Sequence, residues 1–239
     1  MFVLRPRSFD RLAYTDGDVA LRPISFRTPF TRTAIPLGIG RAIAKRAEDI
    51  VLALTALMVL MIPMLVVGSL ICLTSQGPAL FRQERIGRDG RRFVMLKFRT
   101  MRHAAESPTD WRQATRDDPR VTRIGGFLRR TSLDELPQLL NVLSGTMSLV
   151  GPRPHAIGTC AGGRPFERIT HRYAARHCVK PGMTGLAQVR GWRGETDTED
   201  KLLRRLDSDL EYIATWSLST DLMILCRTIV TVARMLNAY

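Results

Sequence analysis

No charged residue interrupts Ile50–Leu73, IVLALTALMVLMIPMLVVGSLICL. As one helix rising about 1.5 Å per residue, the run would extend about 36 Å. That is enough to cross a hydrocarbon core of about 30 Å. It starts too far into the chain, is too long and lacks a small-residue cleavage site, so it is not a secretory signal. Buried helices of soluble proteins rarely run this far without a polar residue. Two periodic segments close the chain. In Glu199–Trp216 the residues Leu202, Leu203, Leu206, Leu210 and Ile213 recur at helical spacing opposite charged positions, which predicts an amphipathic helix. Asp221–Leu236 is more apolar, and a helix there would lie along a membrane surface or pack on the protein's own core.

Between these segments the patterns are shorter. Ala79–Ile86 and Arg92–Arg99 flank Gly87-Arg88-Asp89-Gly90, and the Asp-Gly pair predicts a β-hairpin. Ser132–Leu143 reads as a helix ending near Gly145. Arg120–Arg130 is a short basic segment, strand or helix. His103–Asp118 is polar and irregular or frayed helix. Residues 151–165, with three prolines and several glycines, read as loop, and Lys180–Gly194 as loop with a short strand. Residues 1–40 lack periodicity and form a flexible basic leader. The expected fold is α+β and mainly helical: the leader, a membrane segment over 41–76, and a catalytic domain over 77–239 that ends in amphipathic helices.

Charge narrows the function. The 239 residues hold 36 Lys and Arg against 22 Asp and Glu, a formal net charge of +14. Such a balance points to an anionic partner: nucleic acid, acidic lipid or a phosphorylated substrate. The four cysteines are scattered, without a C-x-x-C pair, so neither a zinc ribbon nor a disulfide framework is expected. His171, His177 and Cys178 lack further ligands at metal-site spacing and read as ordinary helix residues. Trp111, Trp192 and Trp216 are candidate interface anchors. Basic residues crowd both ends of the apolar run: Arg41, Lys45 and Arg46 before it, Arg82, Arg85 and Arg88 after it. The positive-inside rule places both flanks in the cytoplasm. Pro63, mid-run, removes a helical hydrogen bond. A helix that breaks there and returns satisfies both observations; a single spanning helix with a tolerated proline stands beside it.

The sharpest local motif is Arg129-Arg130-Thr131-Ser132-Leu133-Asp134-Glu135-Leu136-Pro137-Gln138. Ser132 and Glu135 have capping-box spacing. A helix starting there places Asp134 and Glu135 in its first turn, where backbone N–H groups favour anions. A carboxylate so placed serves as nucleophile or metal ligand. Alternatively Glu135 caps the helix, Asp134 complements its dipole, and neither does chemistry. The surroundings favour chemistry: Lys97 and Arg99 end the hairpin, Arg153 lies between two prolines, and Arg193 sits in a glycine-rich turn. Diphosphates and lipid phosphates need such fixed cations.

LKFRTM (96–101), DPRVTRIGGFLRRTSLDELPQLLNVLSGTMSLVGPRP (118–154), VKPGMTGLAQVRGWRG (179–194) and DLEYIATWSLSTDLMIL (209–225) together resemble the bacterial sugar transferases. These are monotopic polyprenyl-phosphate hexose-1-phosphate transferases, and the resemblance runs from Arg41 onward. It implies a membrane-embedded protein with a re-entrant helix kinked at Pro63, at the cytoplasmic face of the bacterial inner membrane. It implies transfer from a UDP-sugar to undecaprenyl phosphate through a phosphosugar-aspartate, with UMP released. By motif, Asp134 is the nucleophile and Glu135 its partner; Lys97, Arg99, Arg129, Arg153 and Arg193 hold phosphates. Asp134, Glu135 and Asp221 are the implied ligands of Mg²⁺. Membrane lipids and a second copy in a homodimer are candidate partners; nucleic acid is not. Departures are Ile62, where the family often has Ser before the kink proline, and Thr159–Pro165. Without a preceding bundle of spanning helices, the chain resembles the short exopolysaccharide-initiating type, with galactose or glucose as the sugar. The contrasting reading is a non-enzymatic membrane-surface protein holding acidic lipid or nucleic acid.

Overall fold

The computed structural model describes residues 38–102, 118–194 and 196–233. The leader up to residue 37 and the polar segment 103–117, with Trp111, lie outside them. The apolar run is the centre of helix α1, Ile39–Thr74, which contains Pro63 and is long and apolar enough to cross a membrane. One stripe of α1 faces the protein. Ala53, Ala56, Leu57 and Leu60 pack on one core cluster, and Met64, Val67 and Ile71 on another. The opposite face carries Met58, Val59 and Ile62, each 71% exposed. Such a continuous apolar face is far from ordinary for a protein surface in water.

Both ends of α1 are tied to the same body. Near its start, Arg46 donates to the carbonyls of Val142 and Leu143, and Asp49 accepts from Ser148 Oγ and the Leu149 N–H. Near its end, Ile71 is buried against Phe98 and Leu128.

The hairpin forms as expected: β1 (Leu80–Ile86) pairs antiparallel with β2 (Arg92–Phe98), Leu80 opposite Phe98. Asp89 and Gly90 turn the chain at φ 55° and 74°, conformations that Asp and Gly tolerate best. The basic segment is a helix, α2 (Arg123–Thr131), capped by Thr122, whose hydroxyl accepts from the Gly125 N–H. Gly125 is required by contact: a Cβ there would stand 1.9 Å from the Thr100 carbonyl oxygen. Helix α3 (Gln138–Ser144) is locked to β2 through Asn141. Its Oδ1 accepts from the Leu96 N–H and its Nδ2 donates to the Val94 carbonyl.

Strand β3 (Ser148–Val150) is parallel to Gly182–Thr184, which follows later in the chain. The loop expected over 151–165 contains a minimal hairpin, β4 (Cys160–Ala161) with β5 (Arg164–Pro165), leading into the single turn α4 (Phe166–Ile169). A 3₁₀ segment spans His171–Cys178. Then come β6 (Gly182–Thr184), the short α5 (Leu186–Val189), α6 (Glu199–Thr215) and α7 (Leu218–Ala233). The principal core joins Ala53, Met95, Leu139, Val142, Met147, Tyr212 and Ile224. Asp134 and Glu135 therefore stand between the hairpin and α3, two elements fixed to each other.

Candidate active site

The expected single helix over Ser132–Leu143 is divided. Ser132 takes a left-handed conformation, φ 57°, at the end of α2. Leu133–Glu135 form one 3₁₀ turn, and α3 starts only after Pro137. The expected capping box is absent: the Ser132 side chain caps nothing and instead accepts from Arg193 Nη2 at 2.7 Å. Proline has no N–H to give the preceding turn and is tolerated at a helix start, so the chain stops and restarts around it. The acidic pair is thus carried on a tight corner between two helices, not on the first turn of one.

At that corner the two carboxylates differ. Lys97 Nζ is 2.9 Å from Glu135 Oε1 and 3.9 Å from Asp134 Oδ2. Arg153 grips Glu135 with both guanidinium nitrogens, Nη2 to Oε1 at 2.6 Å and Nη1 to Oε2 at 3.2 Å. No hydrogen bond between described residues reaches the Asp134 oxygens. Burial alone would raise Glu135, but the charges of Arg153 and Lys97 outweigh it and hold that carboxyl well below the usual range. Asp134 is pushed up to about 6, first by burial and then by the neighbouring Glu135 charge, against the pull of Lys97, Arg153 and Arg129. Pairs of acids driven apart in this way mark chemical sites.

Arg153 is itself positioned. Arg176 Nη2 donates to its carbonyl at 2.7 Å and pairs with the buried Asp209 at 2.7 Å. Arg85 is pushed down to about 10, first by burial and then by the charge of Arg153. Arg129 donates through Nε to Thr100 Oγ1 and adds its charge to the field at Asp134. Lys97, Arg129, Arg153 and Arg193 therefore all bear on the acidic pair.

Arg99 does not. It is 7% exposed, and its guanidinium donates to the carbonyls of Ser75 and Gln76 and to Ser75 Oγ. Arg99 thereby ties down the segment just past the end of α1, and at 3.5 Å it also reaches the Ile71 carbonyl in the last turn of that helix. Asp221 is also elsewhere. It is fully buried, accepting from Tyr212 Oη at 2.8 Å and Trp216 Nε1 at 3.1 Å, with Lys45 Nζ at 2.6 Å. Among the described residues no group of three or more His, Cys, Asp or Glu side chains could hold a metal ion, so Asp134, Glu135 and Asp221 do not form one ligand set. Trp216, a candidate interface anchor, is buried at this cluster instead.

Sequence reasoning missed Arg176, Asp209, His155 and Gln188, whose side chains surround the Arg153 loop. An isolated buried ion pair 33 residues apart, Arg176 with Asp209, leaves no local spacing signal.

Residues 40–235 match the family model described as bacterial sugar transferase. The chain is 50% identical to the UDP-glucose:undecaprenyl-phosphate glucose-1-phosphate transferase of Escherichia coli (strain K12), over 81% of this chain and 41% of that protein. It is 49% identical to the exopolysaccharide production protein PSS of Rhizobium leguminosarum bv. phaseoli, over 79% of this chain and 94% of that protein. It is 40% identical to the UDP-galactose-lipid carrier transferase of Erwinia amylovora, over 82% and 41%. The chain thus spans about two fifths of the length of several of these relatives and nearly all of the length of another.

Proposed function

The chain belongs to the bacterial sugar transferase family, and from that premise we propose that it transfers a hexose-1-phosphate from a UDP-sugar to undecaprenyl phosphate, with Asp134 as nucleophile. Glucose and galactose are the sugars carried in the names of its relatives. The observation that carries this reading is the asymmetry of the acidic pair: a clasped Glu135 beside an unclasped Asp134, within a ring of cations.

In the first half-reaction an Asp134 oxygen attacks the β-phosphorus of the donor. The bond from that phosphorus to the bridging oxygen breaks, and UMP leaves with the electron pair. The phosphosugar-aspartate is then attacked at the same phosphorus by an oxygen of the lipid phosphate. The bond to Asp134 breaks and the carboxylate is regenerated. A covalent intermediate divides one hard exchange into two easier ones. Lys97, Arg153 and Arg193 oppose the charge on the donor phosphates. Glu135, held between Arg153 and Lys97, keeps those two cations in place.

Mg²⁺ fits the chemistry of this pair as an ion brought with the donor. Two carboxylates are too few for an all-protein site, and Mg²⁺ binds through one or two carboxylates together with phosphates and water. Asp134 and Glu135 would hold it, and Asp221 would not. When bound, it would neutralise phosphate charge.

We further read α1 as re-entrant, with the catalytic body on the cytoplasmic face of the inner membrane. Both of its ends bind one body while its outer face is apolar. Tags at residues 38 and 77 would both be accessible only from the cytoplasm; access from opposite sides would sink this reading. For the chemistry, the purified chain is incubated with a UDP-sugar and no lipid acceptor. One equivalent of UMP and a hexose-phosphate adduct on Asp134 by mass spectrometry are expected. Product formation without any adduct overturns the covalent route.

A further inference from the structure

Arg153 faces two spaces. On one side it grips Glu135; on the other it lines a cleft with His155, Arg176, Gln188, Trp192 and Arg205. The cleft is narrow and, as it stands, has room for about one water. Two polar atoms of its lining residues stand out. His155 Nε2 and Gln188 Oε1 are buried and meet no hydrogen-bond partner among the described residues. Buried polar atoms without partners are costly and rare, and here two belong to residues that line one space.

Their hydrogen-bonding senses are fixed by their neighbours. Arg176 Nη1 lies 2.8 Å from His155 Nδ1. A guanidinium only donates, so Nδ1 accepts, and the proton of the neutral ring sits on Nε2. Burial, followed by the charges of Arg176, Arg205, Arg85 and Arg153, keeps that ring neutral by driving its pKa well below the usual histidine value. Gln188 Nε2 donates to the Met183 carbonyl at 3.0 Å, which leaves Oε1 as the acceptor. The cleft therefore offers one donor and one acceptor.

We infer that this cleft receives the base of the donor nucleotide and reads uracil through His155 Nε2–H and Gln188 Oε1. This rests on the transferase reading above and adds the base-recognition site to it. Uracil carries a carbonyl acceptor beside its N3–H donor, the complement of the two waiting groups. Cytosine presents an acceptor at N3 beside an amino donor, so it would set donor against donor and acceptor against acceptor. A mismatch of that kind leaves buried groups unpaired, which is the strongest means a site has to reject an analogue. The location also fits: with the base in the cleft, the diphosphate crosses Arg153 towards Asp134. Trp192 on the cleft wall carries the Arg204 guanidinium 5.2 Å from its ring centre. It is flanked by Gly191 and Gly194 at φ 91° and 87°. Base entry into so narrow a cleft requires this Trp192 arm to swing outward.

The test uses the full chain in nanodiscs, with UMP release from a UDP-sugar as readout and UMP, 3-methyl-UMP and CMP as inhibitors. UMP is expected to inhibit the wild type at least 10-fold better than either analogue, because one lacks the N3–H and the other inverts the pattern. In Gln188→Met the preference for UMP over 3-methyl-UMP shrinks to within about 3-fold, and KM for the UDP-sugar rises at least 10-fold. His155→Phe, which keeps a ring edge-on to Phe166 and stacked on Tyr173, likewise loses preference for UMP over CMP. Equal inhibition by the three nucleotides in the wild type overturns the inference, because a cleft holding only a structural water gives that result. Full discrimination surviving in both variants overturns it as well, while leaving the transferase reading intact. A wild type that releases no UMP from any UDP-sugar overturns the transferase reading and this inference with it.

Discussion

Asp134 and Asp221 are both buried aspartates with a lysine nearby, but their surroundings differ in kind. Asp134 and Glu135 share Lys97, Arg153, Arg193 and Arg129, two acids among four cations. Asp221 shares Lys45 with Asp49 and lies beside Glu48, three acids around one cation. The second group is completed by neutral donors: Tyr212 and Trp216 on Asp221, Ser148 and the Leu149 N–H on Asp49. The first group has charge to spare for an anionic guest. In the second, Asp49 and Asp221 have their oxygens occupied by the protein's own groups, whereas both Glu48 oxygens are buried without a hydrogen-bond partner among the described residues; the group ties α1, α6, α7 and β3 together. Asp49 and Asp221, which serve as posts, are each surrounded by donors. Asp134, the proposed nucleophile, is buried beside cations with its oxygens left unbonded.

The largest expected effect separates the two directly. Asp134→Asn keeps the shape of the side chain and removes the nucleophilic charge. Transfer is expected to fall by about 10³-fold or more, with membrane association and folding intact, as read by UMP release and flotation. The thermal midpoint at neutral pH should rise, because a buried charge with a raised pKa disappears; the shift corresponds to roughly 1–3 kcal/mol. Retained turnover in this variant would erase the distinction between the clusters.

Asp221→Ala should do the reverse. It takes away the shorter of Lys45's two carboxylate contacts, leaving Asp49, and leaves Tyr212 Oη and Trp216 Nε1 without their carboxylate. Breaking a buried pair by removing one partner costs about 3–5 kcal/mol, so yield and thermal midpoint should drop sharply. The fraction that remains folded should still release UMP within about 10-fold of the wild-type rate. A stable variant with no activity would move Asp221 back into the reacting site.

Much of this contrast was legible in the sequence, and its failures have a common cause. The uncharged run, the Asp-Gly hairpin and the leucine periodicity of α6 depend on local pattern, and all three elements formed. Asp134, Glu135 and Lys97 were visible because they sit in dense local motifs. The split at Pro137 was misread, since Ser-x-x-Glu before an apolar stretch has the form of a capping box whether or not the next residues continue the helix. Arg99 and Asp221 were misplaced for a different reason. Whether a charged side chain serves a ligand, a helix end or a buried partner depends on what the fold brings beside it. For Arg99 that is the end of α1, 23 to 28 residues away. For Asp221 it is Lys45, across most of the chain.

Arg153→Lys is a finer cut at the open cluster. Lysine keeps the charge but cannot grip both Glu135 oxygens. Transfer should fall about 10- to 100-fold, and Arg153→Met should fall further. The same conservative change in the closed cluster, Lys45→Arg, should act on stability and leave the turnover of folded protein near normal. If Arg153→Lys changes only the thermal midpoint, Arg153 belongs with the posts and not with the phosphate-binding groups.

The smallest effect is in pH. With Asp134 near 6, the nucleophile is ionised in only about one tenth of molecules at pH 5. Single-turnover UMP release should therefore rise roughly tenfold between pH 5 and 8, levelling above 6 to 7. Glu135, held low by Arg153 and Lys97, stays ionised across that range and adds no second step. Stability must move the other way. Between the ordinary aspartate value and about 6 the folded chain binds a proton at Asp134 that the unfolded chain has released. Linkage then makes folding less favourable as pH rises through that window. Wild type should lose thermal stability relative to Asp134→Asn between pH 4 and 6, and the gap should stay constant above it. A rate that is flat from pH 5 to 8, or a stability gap that closes as pH rises, would mean that Asp134 is already charged at pH 5 and that burial does not hold its proton.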